Sequence, residues 1–240
     1  MKSILITGAS RGVGRALAVK CAGSGAFNKI IINCRQNEAE LNKTAALIAE
    51  VCDVQCIRSI GDVGNPDYVR SLRELCGPVN VLINNAAISL TGLLIDMTDS
   101  EWNDIISTNI TSLFNTCHTF APDMIRQGEG HIINVSSVWG LRGASCEVAY
   151  STTKGAVNAF TMALAKELAP SHVQVNAVAL GIVDTKMNSH LSEEELSEIR
   201  EDIPAGYIAT ASEAAEFIYK MIDMPKYLTG EVIKFDGGWQ

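Results

Sequence analysis

This 240-residue sequence lacks several features that define membrane, secreted and nucleic-acid-binding proteins. It has no run of the ~20 apolar residues that a membrane-spanning helix needs. The apolar run at the N-terminus stops at Thr7 and Gly8, which makes it too short for a signal peptide. Basic residues are outnumbered, and the net charge of −8 gives no general attraction to nucleic acid. The sequence therefore predicts a cytoplasmic protein without membrane or nucleic-acid partners.

Cysteine and histidine are present, but not in the patterns of disulfide frameworks or metal sites. The seven cysteines are scattered without a C-x-x-C pair, and the closest two are Cys52 and Cys56. This usage indicates reduced thiols that pack as small apolar groups. The four histidines show no ligand spacing, so no metal is predicted.

Charged residues are also sparse at 19%, whereas hydrophobic residues make up 47% of the chain, enough for a sizeable core. Near-continuous apolar runs alternate with helical stretches, which is typical of a parallel sheet covered on both faces. The predicted fold is α/β: one Rossmann-type domain over residues 1–240, with a doubly wound, seven-stranded parallel sheet and helices on both faces. The predicted strands are 2–7, 29–34, 54–59, 79–84, 131–136, 173–179 and 231–235. The predicted helices are 12–23, 38–51, 66–75, 99–127, 149–168, 191–202 and 212–222.

Two segments are expected to be irregular. The long helix 99–127 contains Pro122, where a bend is expected because proline lacks the backbone N–H. The polar segment 186–206 begins after a predicted strand end, where such sheets bind ligands. It is interpreted either as a mobile lid or as an ordinary pair of surface helices.

Glycines fill the turn between the first predicted strand and the first predicted helix. The turn 7–14 reads TGASRGVG, with G-x-x-x-G-x-G spacing. Glycine permits a tight turn and a close backbone approach, and the helix start directs free N–H groups at a phosphate. Ordinary turns also use glycine, but this position favours a dinucleotide. The predicted phosphate-binding residues are Gly8, Ser10, Arg11, Gly12, Val13 and Gly14.

The end of the second predicted strand discriminates between two dinucleotides. An acidic side chain there would bind the ribose hydroxyls of NAD(H), but residues 33–36 read NCRQ, with no carboxylate before Glu38. Arg35 can pair with the 2′-phosphate of NADP(H), and Arg11 lies in the neighbouring turn. NADP(H) is predicted over NAD(H); two solvated surface arginines are the alternative.

Tyr150 and Lys154 lie four residues apart in a predicted helix and therefore share a face. The pKa of a tyrosine hydroxyl is ordinarily about 10, and a neighbouring ammonium lowers that pKa because it favours the phenolate. Ser137 follows the preceding strand, so the fold can bring its hydroxyl to the same cleft. A Y-x-x-x-K pair alone is mostly structural, but with the serine and the glycine turn it predicts proton transfer beside a dinucleotide.

Together these motifs resemble the short-chain dehydrogenase/reductase family over essentially the whole chain. The turn 7–14 matches T-G-x-x-x-G-x-G, and the family's N-N-A-G appears at 84–87 with alanine in the last position. The resemblance implies transfer of a hydride between a nicotinamide and a carbonyl or alcohol. It assigns catalytic roles to Asn109, Ser137, Tyr150 and Lys154. It assigns cofactor contacts to Asp62, Val63, Asn85, Ala86, Tyr150, Lys154, Gly181, Val183 and Thr185.

The roles implied by the resemblance are specific. Tyr150 protonates the developing alkoxide, and Ser137 hydrogen-bonds the carbonyl oxygen. Lys154 holds the nicotinamide ribose and lowers the pKa of Tyr150, while Asn109 supports a water that relays protons. One departure is Leu180, which stands where the family usually has proline. Its free φ and added N–H predict a looser loop around the nicotinamide.

Within the family, the chain resembles bacterial 3-oxoacyl-[acyl-carrier-protein] reductases, through the turn 7–14, the Asn-x-Arg strand end and residues 228–239. This implies NADPH-dependent reduction of a small-molecule or carrier-bound ketone. A narrower resemblance, at 139–147 and 187–191, is to reductases of the 5-aminopentanone modification on elongation factor P. Another small-ketone or hydroxysteroid-type dehydrogenase is a further alternative.

The candidate substrate-pocket residues are Trp139, Glu147 and Met187. Glu147 could attract a cationic amine of the substrate. Alternatively, Trp139 only packs, and Glu147 faces water or a neighbouring subunit.

A cofactor-sensing protein and a structural assembly protein are the alternatives to an enzyme. An NADP(H)-sensing protein would keep the glycine turn but would not need the four catalytic positions, and nothing favours a structural assembly protein. Family members usually form homotetramers or homodimers through helices that match 99–127 and 149–168. The small residues Ala156, Ala159 and Ala163 permit close helix packing, either with a second copy or with the chain's own sheet.

Overall fold

The computed structural model describes residues 2–189 and 191–240. Met1 and His190, which belong to two of the sequence patterns above, lie outside the described residues. Within these ranges, seven parallel strands form one sheet. They are β1 (Ser3–Ile6), β2 (Lys29–Cys34), β3 (Gln55–Ile60), β4 (Val81–Asn84), β5 (Gly130–Ser137), β6 (Val173–Leu180) and β9 (Val232–Phe235). Two further short strands, β7 (Val183–Asp184) and β8 (Ala209–Thr210), pair with each other.

The strand order β3-β2-β1-β4-β5-β6-β9 reverses direction between β1 and β4, which confirms the predicted doubly wound fold. The helices are α1 (Gly12–Gly23), α2 (Glu38–Val51), α3 (Pro66–Cys76), α4 (Asp99–Ile106), α5 (Ser112–Gln127), α6 (Trp139–Arg142), α7 (Val148–Leu168), α8 (Glu193–Asp202) and α9 (Ala211–Ile222). Ligands of such sheets bind beyond the carboxyl ends of the strands at the reversal.

Alternating side chains of β1 enter two separate cores, one on each face of the sheet. Ile4 and Ile6 pack in the cluster that contains Leu17 of α1 and Ile218 of α9. Leu5 packs in the opposite cluster, which contains Phe120 of α5. Because both faces are covered, every residue of β1 is buried, as a near-continuous apolar strand predicts.

The predicted helix 99–127 is wrong as one continuous element. It divides into α4 and α5 at a π-helical turn, Ser107–Thr111, where the N–H of Ser112 bonds the carbonyl of Ser107. The helix α5 continues through Pro122 rather than ending there. Pro122 and the residue one turn before it are both exposed, so water can bond the carbonyl that proline leaves unpaired.

The segment 186–206 contains a short 3₁₀ turn, Lys186–Asn188, followed by α8. A capping box between Ser192 and Glu195 sets the start of α8. Ile203 is buried directly after the helix and attaches its end to the body of the protein.

Three further features concern membrane spans, metal-ligand clusters and cysteines of the described residues. No helix in them is long and apolar enough to span a membrane. In the same ranges, no cluster of three or more His, Cys, Asp or Glu side chains could hold a metal ion. The seven cysteines, all of which are described, are free thiols.

Candidate active site

The glycine turn joins β1 to α1 in a conformation that requires glycine. Gly8 and Gly12 have φ of +65° and +55°, in the left-handed region. A Cβ on Gly8 would lie 2.8 Å from the Cα of Ala86, and a Cβ on Gly14 would lie 2.5 Å from the carbonyl oxygen of Gly8. The turn therefore packs directly against the loop after β4.

Hydrogen bonds between Thr7 and Asn85 tie this turn to the loop after β4. The hydroxyl of Thr7 accepts from the N–H groups of Asn85 and Ala86, at 3.0 Å each. The side-chain amide of Asn85 donates to the carbonyls of Thr7 and Gly8, at 2.9 and 3.1 Å. Asn85 and Ala86, predicted as cofactor contacts, thus shape the glycine turn itself.

The N-terminus of α1 is left open for an anion. Arg11 occupies its N-cap position without a side-chain hydrogen bond, and the first turn has no acidic residue. Side chains cap α2, α3, α4, α8 and α9, whereas α5, α6 and α7 lack such a cap, as α1 does. Free N–H groups at a helix start bind phosphate, so the residues present fit a dinucleotide pyrophosphate.

The end of β2 presents Arg35 to solvent. No carboxylate of the described ranges forms an ion pair with Arg35 or Arg11. The neighbouring Asn33 is buried and donates to the hydroxyl of Tyr68 at 2.9 Å, so it belongs to the core. The strand end therefore offers a guanidinium and no acidic group, as the sequence indicated.

Asp62 and Val63, expected at the adenine, follow β3. The carboxylate of Asp62 accepts the N–H of Gly64 at 2.7 Å and so closes a turn. Val63 is buried, and its carbonyl accepts from the side-chain amide of Asn115 at 3.0 Å. These bonds fix the backbone on that side of the glycine turn.

The structure brings Ser137, Tyr150 and Lys154 together at the carboxyl edge of the sheet. Ser137 is the last residue of β5, and its hydroxyl lies near enough to the Tyr150 phenol to lower the pKa of that phenol. Lys154 Nζ lies 5.6 Å from the centroid of the Tyr150 ring and donates to the carbonyl of Val135 at 2.8 Å. All three side chains are at least nine-tenths buried.

The expected lowering of the pKa of Tyr150 by Lys154 is not found. Burial raises the pKa of the Tyr150 phenol, the nearby Glu147 carboxylate raises it further, and the bond from Ser137 lowers it less. Burial also lowers the pKa of Lys154 to about 8. Desolvation disfavours the charged form of each group and outweighs the attraction between them. The phenol is therefore protonated at neutral pH.

Asn109 lies in the π-helical turn, with its side chain committed to neighbouring groups. Its Oδ1 accepts from the N–H of Ile88, and its Nδ2 donates to the Ile88 carbonyl, both at 2.9 Å. The Nδ2 also donates to Thr153 Oγ1 at 3.0 Å. Both ends of the amide thus hold the loop after β4 against α7.

One small cavity joins the separate motifs. Its lining includes Thr7 of the glycine turn, Val63, Ala86, Asn109 and Lys154. Lys154 and the glycine turn therefore face a common space.

The loop after β6 lies on the other side of the glycine turn. A Cβ on Gly12 would lie 3.4 Å from Cγ2 of Thr185, so this loop and the turn are close neighbours. Leu180, at the position of the missing proline, pairs with Ser137 of β5 and Phe235 of β9. The N–H of Gly181 donates to the Phe235 carbonyl at 2.9 Å. These backbone bonds fix the chain as far as Gly181, so the loop is not looser there as expected. Val183, which is buried, begins β7.

The substrate-pocket candidates separate into two groups. Trp139 packs against the small cluster that contains Tyr150, and the Glu147 carboxylate accepts from Ser89 Oγ at 3.1 Å. Met187 is exposed in the 3₁₀ turn after β7. Sequence reasoning missed Ser89 and Trp239, which contacts Trp139, because no local pattern marks a partner far along the chain.

Comparison with known proteins places this geometry in context. The family model described as short chain dehydrogenase matches residues 2–196. A Bacillus subtilis (strain 168) protein named uncharacterized oxidoreductase YmfI is 35% identical over 240 residues, covering 99% of this chain and 98% of the relative. The 3-oxoacyl-[acyl-carrier-protein] reductase FabG of Aquifex aeolicus is 35% identical over 245 residues, covering 99% and 96%. A crystal structure of a proposed gluconate dehydrogenase from Agrobacterium tumefaciens has a TM-score of 0.91 at 28% identity, covering 99% and 95%.

Proposed function

Since the chain belongs to the short-chain dehydrogenase/reductase family, an oxidoreductase family that uses nicotinamide cofactors, we propose that it reduces a ketone to an alcohol with NADPH. The observation that carries this proposal is the gathering of Ser137, Tyr150 and Lys154 beside the glycine turn. We further propose that residues 1–240 act as one domain, so that one chain supplies both the cofactor site and the proton donor.

The mechanism assigns each group one task. The glycine turn would hold the pyrophosphate of the cofactor, whose nicotinamide would supply the hydride when bound. Tyr150, kept protonated by burial, donates its proton to the carbonyl oxygen as negative charge develops there. Ser137 donates a hydrogen bond to the same oxygen and stabilises that charge. Lys154, anchored on the Val135 carbonyl, is placed to hold the nicotinamide ribose. Asn109 positions the loop after β4 rather than touching the reacting atoms.

The preference for NADPH rests on Arg35. A 2′-phosphate needs a cation at the end of β2, and an acidic side chain there would repel it. Arg35 is exposed at that point and has no ion-pair partner among residues 2–189 and 191–240. Arg11 reinforces the positive charge from the open start of α1.

The first substrate class is a 3-oxoacyl thioester. The name of the Aquifex relative supports it, as does the apolar cluster beside Tyr150, formed with Ile88, Leu90, Met97 and Trp139. Apolar side chains next to the proton donor suit an acyl chain.

A ketone that carries an amine is the second candidate, as in the 5-aminopentanone modification of elongation factor P. The observation in its favour is Glu147, whose carboxylate is near enough to raise the pKa of Tyr150. The same negative charge would attract a cationic substituent next to the reacting carbonyl.

NADPH oxidation with matched neutral and cationic ketones tests both candidates. We expect the wild type to reduce at least one class, and Glu147→Gln to lower kcat/KM for the amino ketone by about 10-fold relative to an acetoacetyl thioester if the cationic ketone is the substrate. Equal changes for both ketones would exclude the charge role. No NADPH oxidation with any ketone would exclude ketone reduction itself.

We propose that two copies pair through α5 and α7. A groove of about 370 Å³ between these helices is lined by apolar side chains, including Phe114 and Ile125, which are 54% and 42% exposed. Ala156, Ala159 and Ala163 also face outward rather than against the chain's own sheet. An apolar face of this kind is typical of a subunit interface.

Phe114→Glu is expected to dissociate the assembly, because a carboxylate would then be buried between the copies. Light scattering after size-exclusion chromatography should give a dimer or tetramer for the wild type and a monomer for the variant. Tyr227→Glu, at a fully exposed tyrosine, is the matched control and should keep the wild-type mass. A wild-type monomer would contradict the proposal.

A further inference from the structure

The last residues of the chain turn back over the carboxyl edge of the sheet. After β9, Gly237 and Gly238 have φ of +65° and +84°, which reverses the chain direction. The buried carboxylate of Asp236 accepts the N–H groups of Gly238 and Gln240, at 3.1 Å each. The tail 236–240 is therefore a formed turn held by the side chains of Asp236 and of Lys234, which donates to the Gln240 carbonyl.

This turn places Trp239 against Trp139. The two ring centroids lie 5.0 Å apart with the planes tilted by 58°, and both indoles are half-buried. Trp139 in turn packs against the cluster that contains Tyr150. Trp239 thus lies outside Trp139, and Trp139 lies against the cluster that contains the proposed proton donor.

The same turn contacts the segment that follows α8. The N–H of Ala205 donates to the Gly237 carbonyl at 3.0 Å. A Cβ on Gly237 would lie 2.8 Å from Cγ2 of Ile203, which shows how closely the tail and this segment pack. The tail therefore joins the end of the polar segment 186–206 to the tryptophan beside Tyr150.

We propose that Trp239 is a specificity-determining residue, which together with Trp139 forms an indole wall limiting the size of the ketone substituent beside Tyr150. This inference rests on the proposed ketone reduction. A wide, rigid ring backed by a second ring cannot move aside without losing its packing, so the wall rejects substituents longer than the space in front of it. Because the wall bounds the pocket and does not touch the reacting atoms, it governs KM more than kcat.

Steady-state reduction of a series of 3-oxoacyl thioesters, from 3-oxobutanoyl to 3-oxododecanoyl on one pantetheine analogue, tests the wall. We expect Trp239→Ala to raise kcat/KM for the longest thioester relative to the shortest by about 10-fold, mainly through KM. The kcat for the shortest should stay within about threefold of the wild type. Trp239→Phe keeps a ring against Trp139 and should keep the wild-type profile.

Trp102→Ala is the matched control, since it removes the one other tryptophan, which makes no ring contact in the described ranges. Its length profile should equal that of the wild type. A uniform loss of activity at every chain length in Trp239→Ala, with a lower Tm, would mean that Trp239 is only structural and would overturn the inference. An active wild type with an unchanged profile in Trp239→Ala would overturn it as well. If the wild type reduces no ketone, the proposed function is wrong, and so is the specificity role of Trp239 that rests on it.

If Trp239→Ala does not fold, a spectroscopic measurement on Trp239→Phe still tests the wall. In a Trp102→Phe background, the two remaining indoles should give an exciton couplet in circular dichroism, which Trp239→Phe should abolish. Absence of the couplet in that background would show that the rings do not pair, and the wall would be refuted without any activity measurement.

Discussion

Tyr150→Phe is expected to lower kcat for ketone reduction by about 10³-fold, because it removes the proposed proton donor and leaves the ring in place. Burial raises the pKa of the Tyr150 phenol, which is therefore protonated at neutral pH. Phenylalanine keeps the packing with Ala149 and Trp139, so the fold should persist. The affinity for NADPH should change only a few-fold, since the glycine turn is untouched.

Single-turnover reduction separates the two effects, with NADPH binding followed by fluorescence titration. Tyr227→Phe is the control, because it removes a phenol hydroxyl that is fully exposed and has no hydrogen-bond partner among the described residues. It should retain the wild-type rate. If Tyr150→Phe keeps a substantial fraction of the wild-type kcat, the proton must come from another group, and the mechanism is wrong.

The same phenol sets the direction of the pH dependence. Alcohol oxidation needs the phenolate, and burial together with Glu147 raises the pKa of Tyr150 above its ordinary value of about 10. The oxidation rate should therefore rise with pH throughout the neutral range, while reduction, which needs the protonated phenol, should not. Lys154, with a pKa of about 8, loses its charge near the upper end of that range and should add a second inflection there. Parallel profiles for the two directions would contradict this assignment.

Arg35→Glu is expected to lower kcat/KM for NADPH by about 100-fold and to leave NADH as the better cofactor. A hydrogen bond to a charged group contributes about 1.5–3 kcal/mol, and the new carboxylate would also repel the 2′-phosphate. The same carboxylate could bind the ribose hydroxyls of NADH. The expected loss thus comes from one removed attraction and one added repulsion at the end of β2.

The measurement is kcat/KM for both cofactors at one fixed ketone concentration. Arg70→Glu makes the same change of charge on α3, where the wild-type arginine is exposed and pairs with Asp67. It should leave the ratio of NADPH to NADH efficiency unchanged. An unaltered ratio in Arg35→Glu would mean that Arg35 is a solvated surface residue and that the cofactor preference arises elsewhere.

Local sequence patterns were sufficient for the elements and for the identity of the motifs. Near-continuous apolar runs predict buried strands because a parallel sheet is covered on both faces, and all seven predicted strands occur in the sheet. The four-residue spacing of Tyr150 and Lys154 predicts one helix face because the helical period is local. The glycine turn was readable for the same reason, since positive φ is a property of single residues.

Contacts between distant parts of the chain were decided by the tertiary structure alone. Trp239 contacts Trp139 because the strand order sets β9 beside β6 and because the tail turns back over the sheet. Neither fact can be predicted from the hydrophobic periodicity of a short segment. The pKa of Tyr150 moves opposite to the expected direction because desolvation depends on everything packed around the phenol, not on the lysine one turn away. Spacing along the chain specifies which groups share a face; burial specifies what those groups can do, and burial is a property of the whole fold.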